Sequence, residues 1–328
     1  MAAVAQVEER FTSDEAAGQL TVTWQRFHKH RFGVVALVIL GLLVLSTIIV
    51  PIFSPFDQGV MYPDIRLAPI GTVNPNTGHT HLLGTDTNGR DIWTRLFYAG
   101  RISLIIALLS AASVVVVGSI IGAVAGFYGG WVDMVFMRLA DFMLALPILP
   151  MYLIVIRFLR LTLSGDNLLF AEDTAGIMLT LIIIFTLFGW MGISRLVRSS
   201  ILSLRSQPFV EAATALGASN RRIIFRHLLP NSLAPVLVAA TFVVGDFIIL
   251  ESILSYFGQG ILEPPSTSWG IMIANGQQYV LRVTNINPFE DIRAYLAILP
   301  GAMILLTTLC VNYIGDALRD ALDPQMGS

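Results

Sequence analysis

Cysteine and lysine are almost missing from this 328-residue chain: Cys310 and Lys29 are the only examples. A single cysteine excludes an intrachain disulfide framework, a CxxC redox pair and a thiolate zinc site. A single lysine, with no glycine-rich run before it, excludes a GxxxxGK[ST] phosphate loop, so the chain has no Walker-type ATP site of its own. HExxH and a strand-borne GxSxG elbow are absent as well, and no catalytic constellation remains. Charge is scarce, at 13% of residues with a net of −2, which offers no field for nucleic acid or for a strongly anionic substrate. His79 and His81 stand two residues apart in a polar stretch and are expected to be solvated side chains, with no bound metal or cofactor.

What is abundant is apolar length. Hydrophobic residues make up 55% of the chain. A bilayer core needs about 20 apolar residues in helix. Residues 32–53, 102–127, 174–194 and 294–315 reach that length without one charged side chain, 228–250 does so with Asp246 alone, and 134–156 carries Arg138 and Asp141 near one end. These runs predict an all-α polytopic membrane protein with six spans. The first 23 residues are polar and the first apolar run lacks a small-residue cleavage site, so that run reads as an anchor rather than a leader. Arg26, Lys29 and Arg31 stand directly before it, which by the positive-inside rule places the N-terminus in the cytoplasm. Six crossings return the C-terminus there, and the segment 195–227, with six arginines, is then cytoplasmic too. Arg90, Arg95 and Arg101 run against the rule. The stretches 54–100, 157–173 and 251–293 fall outside, and their Pro, Gly, Asn and Thr content predicts irregular loops around 54–100 and 264–292.

Several residues are singled out by local chemistry. Ser206 is a candidate N-cap, with Pro208 in the first turn, Glu211 near the positive helix end, Ala212, Ala213 and Ala215 as strong helix formers, and Gly217 suited to the position after the C-cap. Ser219 is a candidate cap for a second short helix carrying Arg221, Arg222 and Arg226, before Pro230 opens the next run. Gly118, Gly122 and Gly126 repeat every fourth residue, the spacing of a close helix–helix seam. Arg138 and Asp141 are spaced to pair on one helix, as a gate or as a charge pair that eases two ions toward the interface. Asp246 either lines a pathway or bonds a helix of a partner, and Glu251 is expected at the interface, where charge is cheap. Pro147, Pro150, Pro230, Pro235 and Pro300 are expected to break or bend spans three, five and six.

Five stretches in order carry a resemblance: 81–104 (HLLGTDTNGRDIWTRLFYAGRISL), 125–147, the EAATALGAS and RHLLPN segments within 211–231, 253–270 (ILSYFGQGILEPPSTSWG) and 312–324. The chain is similar to the C-type permease subunits of dipeptide and oligopeptide ABC importers, and residues 211–230 resemble that family's EAA motif. The resemblance implies a type I importer permease fold in a prokaryotic plasma membrane. It divides the chain into a cytoplasmic tail 1–31, a first helix 32–53, an extracytoplasmic loop 54–100, a core domain 101–315 of five spans with a coupling helix at 207–217, and a cytoplasmic tail 316–328. It implies that Glu211, Ala212, Ala213, Gly217, Arg221, Arg222 and Pro230 meet an ATPase, and that ATP and magnesium are used by partners. Those partners would be two cytosolic ATP-binding subunits, a second homologous permease, an extracytoplasmic solute-binding protein and membrane lipid, with no nucleic acid. Peptides are the implied solute, with nickel, glutathione or oligosaccharide as alternatives and a secondary transporter less favoured. Gln259 stands where the family has an apolar residue, and 157–173 and 275–292 are longer than the family pattern.

Overall fold

The computed structural model describes residues 21, 23–163, 173–261, 266–282 and 292–322. It is helical almost throughout. Helix α1 (Arg31–Phe53) is followed by a small antiparallel hairpin, β1 (Thr72–Val73) and β2 (Thr80–His81), and then by α2 (Ile92–Tyr128), α3 (Gly130–Ala145), α4 (Ile148–Leu163), α5 (Thr174–Leu204), α6 (Pro208–Ala215), α7 (Leu233–Tyr256), α8 (Trp269–Arg282) and α9 (Tyr295–Leu322). Among the described residues, α1, α2, α5, α7 and α9 are each long and apolar enough to cross a bilayer, and α3 with α4 makes a sixth span only if a 95° bend is allowed.

That bend has a local cause. Leu146 takes extended dihedrals (φ −81°, ψ 142°), as a residue before proline must, and Pro147 has no N–H to continue the helix. The run 134–156 is therefore two helices that meet at about a right angle at Pro147. Elsewhere the prolines act unequally. Pro230 sits in a separate short helix (Leu229–Asn231), Pro235 falls in the first turn of α7, and Pro300 is carried inside an unbroken α9.

Span ends also move. Charge-free windows gave 102–127 and 174–194, whereas α2 begins ten residues earlier and α5 ends ten residues later, because Arg95, Arg101, Arg195 and Arg198 lie inside these helices. Asp91 starts α2 by accepting from Thr94 N at 2.8 Å. At 37 residues the helix is about 55 Å long, well beyond the roughly 30 Å of hydrocarbon. The loops expected around 54–100 and 264–292 are likewise more ordered than their composition implied: the first holds the hairpin and the start of α2, the second holds α8. The remainder of the expected loops 157–173 and 275–292, and the tails 1–20 and 323–328, lie outside the described residues.

Helix α2 packs most extensively on α5. A Cβ on Gly118 would lie 2.8 Å from Trp190 O, on Gly122 2.3 Å from Ser194 O, and on Gly126 3.0 Å from Arg198 O. The glycine row is thus the helix seam that its spacing predicted. Contacts that advance together along both chains make α2 and α5 parallel, so their C-terminal ends lie on the side of α6. Gly33 of α1 packs on Ala317 of α9, and Gly315 of α9 on Thr241 of α7. The start of α1, the end of α9 and α6 therefore occupy one end of the bundle, and the hairpin occupies the other.

Candidate coupling loop and membrane cleft

The segment between α5 and α7 is a built structure. Gln207, without a side-chain hydrogen bond, is the N-cap of α6, one residue after the expected Ser206, whose hydroxyl donates back to Ser203 O at 3.5 Å. Pro208 takes the first helical position as expected. At the other end Gly217 has φ +79°, its N–H donates to Thr214 O at 3.0 Å, and Ala218 N–H donates to Ala213 O at 3.0 Å. This pair of bonds is a Schellman closure, which needs a residue that tolerates positive φ. Ser219 then caps the next short helix, accepting from Arg222 N at 3.4 Å, and a π-helical turn over Ile223–Leu228 leads toward Pro230.

Burial divides this segment into anchor and face. Val210, Ile223, Ile224 and Leu228 are buried in the main core. Glu211, Ala212, Gly217, Arg221, Arg222 and Pro230 are exposed, and Ala213 is half-buried. Leu216 is 85% exposed, with Phe209 and Phe225 also exposed. Leu216 escaped the sequence reading; its signal was a large apolar residue at the helix C-cap, between small helix formers and Gly217. The whole loop is a short helix displayed by its small and apolar surface and held from behind.

Above it, α3 is tied to α5 by charge. Asp133 accepts from Arg198 in a bidentate pair, one arm at 2.6 Å, and Asp141 pairs with Arg195. The expected Arg138–Asp141 pair does not form. Helices α3 and α5 lie side by side, so the arginine of the facing helix reaches the carboxylate, and Arg138 projects outward, exposed.

Glu251 overturns its expected interfacial setting: it is fully buried, 0% exposed. Its two oxygens accept from Ser103 Oγ of α2 at 2.8 Å and Ser255 Oγ of α7 at 2.6 Å. Ser103 also accepts from Trp269 N at 3.4 Å, and the Trp269 indole donates to Leu96 O at 2.9 Å. The node joins α2, α7 and the start of α8. Buried serine hydroxyls hydrogen-bond both oxygens of the acid.

Asp246 lies elsewhere. It is exposed, on the face of α7 that also carries Val243, Leu250 and Ile253, and it lines an open cleft of about 360 Å³ with Tyr152 of α4 and Phe188, Gly189 and Gly192 of α5. Among the described residues no hydrogen bond or ion pair reaches it. The structure therefore separates the two acids that the sequence placed together.

At the hairpin end, His81 is also a correction. It is fully buried, stacks on Phe56 at 4.0 Å between ring centroids, and bonds Asp91 Oδ1 at 2.7 Å and Asn74 Nδ2 at 3.2 Å. Holding the helix-capping Asp91 explains its burial; His79 remains exposed. Arg90 and Arg95, whose position opposed the charge rule, are 1% and 2% exposed and gather on Asp86, with Arg90 Nε at 2.8 Å and Arg95 Nε at 3.5 Å. No group of three or more His, Cys, Asp or Glu side chains able to hold a metal occurs among the described residues.

Comparison with known proteins adds an independent line. Residues 118–328 match the family described as binding-protein-dependent transport system inner membrane component, and residues 18–69 match the N-terminal TM domain of oligopeptide transport permease C. The oligopeptide transport system permease protein OppC of Haemophilus influenzae is 34% identical over 98% of this chain and 94% of its own length. The dipeptide transport system permease protein DppC of Alkalihalophilus pseudofirmus is 34% identical over 93% of this chain and 90% of its own. The oligopeptide permease OppC of Escherichia coli is 34% identical over 92% and 91%.

Proposed function

The chain belongs to the binding-protein-dependent transport inner-membrane family, and from that premise we propose that it is one permease subunit of a peptide importer powered by ATP hydrolysis in separate cytosolic subunits. Its relatives are named as peptide permeases, and its own sequence has no phosphate loop. The partners of this reading are a second homologous permease that completes the pathway, two ATP-binding subunits that use ATP and magnesium, and an extracytoplasmic solute-binding protein. The setting is a prokaryotic inner membrane with both termini in the cytoplasm.

The observation that carries the proposal is α6. An eight-residue helix anchored by Val210 and ending in an 85% exposed Leu216 is an apolar surface on a water-facing loop, suited to a helix-in-groove dock. Its Schellman closure fixes Leu216 relative to the π-helical turn and so to α7. Movement of a docked ATPase would reach the bundle through Ile223, Ile224 and Leu228. The motor biases inward-open against outward-open only to the extent that it contacts the two states differently, and α6 is where such contacts concentrate.

The test is Leu216→Asp in the complete complex. The side chain makes little contact within this chain, so folding should be retained while co-purification of the ATP-binding subunits and peptide uptake both fall, uptake by about tenfold or more for the loss of one well-buried interface anchor. Uptake at the unaltered rate would remove α6 from the coupling role.

A further inference from the structure

The cleft around Asp246 has a composition that the proposed coupling does not use. Its walls come from four helices: Leu144 on α3 and Ile148 and Tyr152 on α4, to either side of the Pro147 bend, Phe188, Gly189 and Gly192 on α5, and Asp246 with Phe247 on α7. Tyr152 and Phe188 meet edge-on at 5.5 Å, Tyr152 and Phe185 at 5.4 Å, and Phe185 stacks on Phe247 at 4.9 Å. One carboxylate thus shares the cleft with a packed aromatic cluster whose cleft-lining rings are 1–6% exposed, and Gly192, whose Cβ would meet nothing within 4 Å, leaves the α5 side of the cleft open.

Among the described residues no basic group satisfies Asp246, and a bare carboxylate at mid-span costs a few kcal/mol or more. A lone carboxylate in an otherwise apolar cleft is the chemistry that receives an organic ammonium, by a charged hydrogen bond. A metal ion is a poor match, because the cleft offers one acidic ligand and no His or Cys. The volume, about 360 Å³, falls in the range of small-ligand sites.

We propose that Asp246 and the Tyr152–Phe188–Phe247 wall form a transit subsite for the cationic amino group of the solute. This rests on the importer reading above and adds to it a specificity-determining residue within the membrane.

The test uses the complete complex in proteoliposomes, with Ile249→Cys, on the cleft wall, as reporter in a Cys310→Ala background. Dialanine and N-acetyl-dialanine are the probes, and maleimide modification of position 249 is the readout. Dialanine should slow modification and the acetylated form should not. Asp246→Asn should weaken the dialanine protection by about tenfold in concentration, the scale of a hydrogen bond to a charged group, and Asp246→Glu should restore it. Equal protection by both probes, no protection by either, or protection unchanged in the Asn variant would each overturn the subsite. So would an Asp246→Leu variant that loses the second permease on purification while Asn behaves as the unaltered protein, since the carboxylate would then be an assembly contact. Dialanine uptake is followed in the same vesicles: uptake without amine-dependent protection refutes the subsite alone, and loss of all peptide uptake in the unaltered complex refutes the peptide-importer reading.

Discussion

Single side chains decide how closely the helices of this bundle approach. Gly122 illustrates it, since a Cβ there would lie 2.3 Å from Ser194 O and 2.9 Å from Val197 Cβ, both on a helix that cannot yield locally. Gly122→Ala should lower stability by about 1–3 kcal/mol through overpacking. Gly41 on α1 has nothing within 4 Å of the same position, so Gly41→Ala should be neutral or slightly stabilising. Thermal unfolding of the two variants in detergent makes the comparison, and equal midpoints would refute the seam. Glu251 offers a second case. Replacing it with Leu strands the Ser103 and Ser255 hydroxyls, each left unsatisfied at a cost of about 1–3 kcal/mol. Glu251→Gln keeps an acceptor and should lie close to the unaltered protein in the same assay. Adding Ser103→Ala and Ser255→Ala to Glu251→Leu should recover part of the loss; no recovery would mean that shape, not hydrogen bonding, sets the value of the node. The sequence displayed the glycine seam because spacing alone encodes it. It could not display the environment of Glu251, because the serines that enclose it are 148 residues away on α2 and 4 away on α7.

At the scale of elements, hydropathy located membrane helices well where no charge intervened and poorly where one did. Helix α1 matched to within a residue, whereas α2 and α5 were each cut short by arginines that the folded chain carries inside these helices. Helix α8 was overlooked because its flanks read as turns, yet Trp269 at its start is 1% exposed and holds it to α2. The α6 segment was the most readable part of the candidate site, since Pro208, Gly217 and Ser219 each carry a local signal of position. The pairing of α3 with α5 was not, because periodicity within one helix names the wrong partner for Asp141. That pairing can be examined through Asp133 and Arg198, half-buried and bidentate. Arg198→Asp and Asp133→Arg should each impair uptake, and the double exchange should restore most of it, with a coupling of about 1 kcal/mol given the partial exposure. Failure of the exchanged pair to recover would leave the bond without a role in transport.

Across the whole molecule, helix parity and charge support the proposed orientation. The start of α1, the end of α9 and α6 share one end of the bundle, so a single assignment of sidedness fixes all three. The sequence alone left a conflict, since Arg90, Arg95 and Arg101 gather near the opposite end. Burial resolves most of it. Arg90 and Arg95 are buried and share Asp86, which offsets one of their two charges, so only Arg101 remains there as an exposed charge from that group. Arg26, Lys29, Arg31, Arg221 and Arg222 stand at the α6 end, near the ends of helices, where the positive-inside rule counts charge. We therefore expect single cysteines at Ser219 and Thr77, both exposed, in a Cys310→Ala background, to react with an impermeant maleimide from opposite faces: Thr77→Cys in intact cells, Ser219→Cys only after the membrane is opened. A reversed pattern would place α6 outside, where no ATP-binding subunit could dock. Labelling of both from one face would break the parity of the bundle itself, requiring α3 and α4 to re-enter on the side they left instead of completing a crossing at the Pro147 bend.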